Sequence, residues 1–159
     1  MRQREIFSVF IDKLGKAGVV TEETIENWYK NNRACLFLAD AAKFMILNEL
    51  AEKHKAFFEL LLNSFADGIE EQGPSFAMRW IFKASKEQQC NEINSWIDST
   101  VCDYVEKWLA SNRGCFGLLQ AIEASENKKL MEKVKTSIKS GKNLASDTKG
   151  FEALSEKLK

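Results

Sequence analysis

One histidine, His54, and four cysteines, Cys35, Cys90, Cys102 and Cys115, are the only imidazole and thiol groups in the 159 residues. Zinc needs about four such ligands in short, paired spacings. Here no C-x-x-C pair occurs and the single histidine stands alone in a charged segment, so a metal centre is not expected. The cysteines are expected to be reduced thiols packed as small apolar groups. Glu70 and Glu71 are adjacent carboxylates that could shift each other's pKa, but their loop setting predicts a solvated turn. The chain holds no G-x-x-x-x-G-K-[ST], G-x-G-x-x-G or G-x-S-x-G. Neither an enzyme nor a cofactor is expected.

The elements that position these groups are helical. A single proline, abundant Ala, Leu, Lys and Glu, and no alternating strand pattern predict an all-α chain. Apolar residues make up 45 % and charged residues 29 %, the ordinary balance of a globular protein long enough for one core. Formal charge is zero, with 23 cations and 23 acids, which speaks against a nucleic-acid binder. No stretch approaches the roughly 20 apolar residues that span a bilayer. MRQREIFSVFIDKLG is too charged for a secretory leader.

In order along the chain, residues 4–17 make an amphipathic helix whose face is Ile6, Phe7, Phe10, Ile11 and Leu14, with Phe10 in the core and Gly15 and Gly18 ending it. Thr21 N-caps a second helix carrying Ile25, Trp28 and Tyr29, which pauses at Asn31-Asn32. Residues 34–50 and 56–65 are apolar helices separated by a charged bridge, and Asp67-Gly68 is a turn. Gly73-Pro74 starts the next helix, since proline is tolerated in a first turn. That helix, SFAMRWIFKAS, is apolar nearly all round and is expected to sit buried at the centre. Lys83–Asn91 is polar and ends it. Ile93 to Leu109 is a long amphipathic helix, Asn112-Arg113-Gly114 a turn, and Cys115–Ala124 and Leu130–Ile138 two more helices. Residues 1–140 form one domain, and 141–159 a polar tail that is mobile or weakly helical.

Two stretches resemble the signature of the Bcl-2 family of apoptosis regulators. Asp67-Gly68-Ile69-Glu70-Glu71-Gln72-Gly73-Pro74 aligns without a gap on its Asp-Gly…Asn-Trp-Gly-Arg motif. Asp67, Gly68 and Gly73 match; Glu71, Gln72 and Pro74 stand where the family has Asn, Trp and Arg. Trp108-Leu109-Ala110-Ser111-Asn112-Arg113-Gly114-Cys115-Phe116 is similar to its Trp-Ile…Gly-Gly-Trp motif, with Cys115 replacing the second tryptophan. Ala39-Asp40 sits where a vestigial BH3 segment would lie. The resemblance covers residues 4–122.

What the resemblance implies is a bundle of seven to eight helices around a central apolar helix. It also implies a surface groove that binds the BH3 helix of pro-apoptotic host proteins by apolar anchors at helical spacing. Carried onto this chain, the groove residues are Phe44, Leu50, Leu60, Ser64, Asp67, Gly73, Ala77 and Ile81, with Gly73 and Ala77 as its floor. The likeness is to a compact, divergent, virus-encoded inhibitor of apoptosis, cytoplasmic and peripheral to mitochondria, with homodimerisation among its expected properties. Pro74 cannot make the ion pair of the family arginine, which leaves three alternatives: binding relies on apolar burial, another cation such as Arg79 substitutes, or the ligand range is narrow. Two other functions compete. One is an adaptor of the same fold that uses another face, whose mark is a groove blocked by side chains. The other is a membrane-permeabilising protein that inserts the helix from Pro74.

Overall fold

A computed structural model of the chain describes residues 2–16 and 19–159. Gly18, expected to help end the first helix, lies outside them. All regular structure among the described residues is helical: α1 (Arg2–Leu14), α2 (Glu22–Tyr29), α3 (Asn32–Leu47), α4 (Lys55–Asp67), α5 (Gln72–Gln88), α6 (Asn91–Trp96), α7 (Cys102–Leu109), α8 (Asn112–Ser125), α9 (Lys128–Ser140) and α10 (Lys149–Lys157). A π-helical turn, Ile97–Val101, joins α6 and α7 into one rod.

Local chemistry sets most boundaries. Thr21 Oγ1 accepts from the Thr24 N–H at 3.3 Å, and Asn31 Oδ1 accepts from the Arg33 and Ala34 N–H groups at 3.0 and 3.2 Å. These side chains satisfy donors that a helix start leaves unpaired. Pro74 sits in the first turn of α5, and Gln89 closes that helix in the left-handed region at φ 51°. Asn112-Arg113-Gly114 is not a free turn but the first turn of α8, because Ser111 caps it by accepting from the Gly114 N–H at 3.0 Å.

One core runs through the molecule, with Phe58, Phe65, Phe82 and Trp108 among its largest fully buried side chains. The inner face of α1 is Phe7 and Ile11. Ile6 is 56 % exposed, and Phe10 is half-buried, edge-on to Phe37 at 4.8 Å. Phe10 is therefore a rim residue rather than the core residue expected. α3 and α5 run side by side in the same direction: Cys35 abuts Gly73, and Lys43 reaches the Trp80 ring.

Two expectations are corrected. The segment after residue 140, expected as a polar tail that is mobile or weakly helical, does carry a helix, but that helix is docked on the domain. Thr148 caps α10, Leu154 is fully buried, and the Gly150 N–H donates to Asn112 Oδ1 at 2.8 Å, docking α10 on α8. The close approach needs a glycine, since a Cβ at residue 150 would collide with the Asn112 carbonyl oxygen. Nor is α5 apolar all round and enclosed. Gly73, Ala77, Met78, Ile81 and Phe82 are buried, but Phe76, Arg79, Trp80, Lys83 and Lys86 are exposed on the opposite side.

Candidate functional site

The two stretches that carry the resemblance meet in space. The Trp108 indole N–H donates to the Ala66 carbonyl at 3.1 Å. That carbonyl belongs to the last turn of α4, where four carbonyls lack an intrahelical partner. Lys107 Nζ donates to the next one, the Asp67 carbonyl, at 2.9 Å. The Asp67 carboxylate accepts from the Tyr104 hydroxyl at 2.8 Å, and Arg113 donates to the Glu70 carbonyl at 2.8 Å. So α7 and the start of α8 clamp the end of α4 and the corner that follows it. Residue 114 must be glycine, since a Cβ there would overlap the Trp108 carbonyl oxygen, and a Cβ at Gly117 would press on the indole ring at 3.0 Å. Burial, then the Asp67 partner, pushes the Tyr104 hydroxyl up to about 12, so it stays a donor at neutral pH.

The corner itself is covered. A Cβ at Gly73 would lie 3.1 Å from Cys35 Sγ and 3.4 Å from the Tyr29 carbonyl oxygen, and one at Gly68 would lie 3.3 Å from the Tyr29 ring. Ile25 and Tyr29 are buried, which seats α2 beside α4 and against the corner. Beside Tyr29 the surface opens as a polar cleft of about 270 Å³, lined by Glu22, Glu26, Tyr29, Asn63, Ser64, Asp67 and Lys107.

The eight residues expected to line a groove therefore fall into separate places. Gly73, Ala77 and Ile81 are interior packing positions, Ala77 and Ile81 with no exposed surface. They face α3 and the core because α5 turns its small and aliphatic side inward. Ser64 and Asp67 line the polar cleft; the Ser64 hydroxyl donates back to the Leu60 carbonyl at 2.8 Å. Leu60 and Leu50 are half-buried against the core. Phe44 lies on the other side of α3, stacked on Phe7 at 5.6 Å, in a shallow depression with Arg4, Asp40 and Leu47. Pro74 is buried, and Arg79 points to solvent from the open face of α5 instead of standing at the corner.

The four cysteines are free and buried. Burial pushes the Cys35 thiol up to about 12 and those of Cys90 and Cys115 up to about 11, so they remain protonated and unreactive at neutral pH. Among the described residues no group of three or more His, Cys, Asp or Glu side chains could hold a metal ion. Among the described residues no helix is long and apolar enough to cross a membrane.

Sequence reasoning missed the open face of α5. Phe76 and Trp80 are 43 % and 38 % exposed, one turn apart, and Lys43 Nζ lies over the Trp80 ring at 5.9 Å. The available signal was Arg79, Lys83 and Lys86, three cations at helical spacing on a single side. No family model, curated protein or solved structure matches the chain.

Proposed function

We propose that the chain is a protein-binding module of Bcl-2 type that holds the BH3 helix of a pro-apoptotic partner at the α4–α5 corner and thereby restrains cell death. The observation that carries this reading is the clamp between the two resembling stretches. Residues 41 positions apart, Asp67 and Trp108, belong to one local structure through the Trp108–Ala66 and Tyr104–Asp67 hydrogen bonds. A fold organised by that pair of motifs requires them to meet. The recognition would be helix-in-groove, driven by apolar anchors. With Gly68 covered by Tyr29 of α2, and Gly73 by Cys35 of α3 and the Tyr29 carbonyl, binding entails moving α2 off the corner and drawing the start of α3 away from Gly73. α2 has only eight residues and two buried side chains, so few contacts hold it.

One observation favours the second reading, an adaptor of the same fold that uses another face. The space over Gly73 is filled by side chain and backbone of this chain, which is the blocked groove expected of such an adaptor. Titrating the purified protein, and a Tyr29→Ala variant, against a panel of BH3 peptides separates the two. The BH3 reading predicts binding that tightens when Tyr29 is truncated. No binding by either form to any peptide selects the adaptor.

A further inference from the structure

We propose that the open face of α5 is a docking surface for a helix of a partner protein, one with apolar side chains along one side and carboxylates beside them. The proposal rests on the reading of the chain as a protein-binding module but not on the corner at Gly73, which lies on the covered side of α5.

Phe76, Arg79, Trp80, Lys83 and Lys86 follow one another at spacings of three, one, three and three residues, so they share a single face. A cleft of about 360 Å³ lies between this face and α3, lined by Lys43, Trp80, Lys83, Ala84 and Glu87. A second, of about 580 Å³, lies toward α8, with buried Phe82 and half-buried Ala124 in its lining. Leu36, 37 % exposed, lies seven residues before Lys43 and so shares its face of α3. Exposed aromatics and arginine beside surface clefts are the composition of binding hot spots. The Lys43 ammonium over the Trp80 ring holds that side chain in place before any partner arrives.

Charge names the occupant. Lys43, Arg79, Lys83 and Lys86 make no ion pair among the described residues. The carboxylates that line the two clefts, Glu87 and Glu123, stand toward the C-terminal ends of α5 and α8, which leaves the aromatic half cationic. Since the whole chain is formally neutral, this excess is local and complements carboxylates on a partner. A helix fits better than a lipid surface. The face is grooved rather than flat, and Phe76 and Trp80 stand about 6 Å apart along the axis, the spacing of successive anchors on a facing helix.

The test uses the full chain as bait for a displayed library of 16-residue amphipathic helices with randomised flanking charge. The selected peptides are then titrated against the wild type, Trp80→Ala and the double variant Lys43→Glu/Lys83→Glu. The proposal expects selected helices with acidic flanks, binding weakened about tenfold or more by each variant, and unchanged melting temperatures. It is overturned by a library that yields no binder, by basic or uncharged selected helices, or by binding that both variants retain. It is also overturned if phosphatidylcholine–phosphatidylserine vesicles, or a second copy in light scattering, occupy the face in a Trp80-dependent way. BH3 peptides are titrated in parallel. BH3 binding that survives both variants keeps the corner reading whatever happens here. Failure of the BH3 panel alone, with acidic helices bound, counts only against the corner.

Discussion

Replacing Trp108 by phenylalanine removes the indole N–H that serves the Ala66 carbonyl and shortens the ring that rests on Gly117. Both losses fall in a fully buried place. A buried acceptor left without a donor costs about 1–3 kcal/mol. The difference between indole and phenyl leaves a void of roughly 40 Å³, which at about 24 cal/mol per Å³ adds about 1 kcal/mol. The expected total is about 2–4 kcal/mol, or about 5–15 °C in melting temperature for a domain of this length. Urea denaturation followed by circular dichroism measures it, with Lys133→Ala, an exposed site on α9 away from the clamp, as a control expected to stay within about 0.5 kcal/mol. A Trp108→Phe loss no larger than that of the control would refute the clamp as the tie between α4 and α7.

Three other outcomes follow from the same packing. Ala77→Phe should overpack the α3–α5 interface and cost about 1–3 kcal/mol, read in the same melts; unchanged stability would return Ala77 to an open groove. Leu154→Ala should cost about 2–5 kcal/mol and free α10 for limited proteolysis, since Leu154 is fully buried; a wild-type digestion pattern would mean that α10 does not dock. The thiols of Cys35, Cys90 and Cys115 are raised by burial, so in the folded chain they stay protonated above the pH at which unfolded cysteine ionises. The unfolded state then binds fewer protons, and stability should fall as pH rises from about 9 toward 12. Iodoacetamide at pH 8 should label them only on unfolding, and rapid labelling of the native chain would contradict their burial.

Helix identity was legible because it is local. The Thr21 cap, the Pro74 start and the apolar period of each stretch needed no tertiary information. The Asp67-Gly68 and Trp108…Gly114 stretches were legible as a pair, although only the fold shows them joined. What failed was the assignment of faces. Phe76, Trp80 and Ile81 are all apolar by type, yet only Ile81 is turned inward, because α3 and α8 cover one side of α5. Gly73 looked like room for a ligand, but a missing side chain serves equally well to admit Cys35 and Tyr29. Residues 141–159 looked polar, and Leu154 with Phe151 was too small an apolar set to predict docking on α8.

Hydrogen exchange of the full chain with and without a BH3 peptide tests the corner most directly. The account predicts that a peptide binding with a dissociation constant of about 10 µM or tighter, near −7 kcal/mol, protects residues 60–77. It also predicts faster exchange in α2 as Tyr29 leaves Gly68. Peptide binding that leaves both segments unchanged, or that protects only residues 76–87, would contradict it.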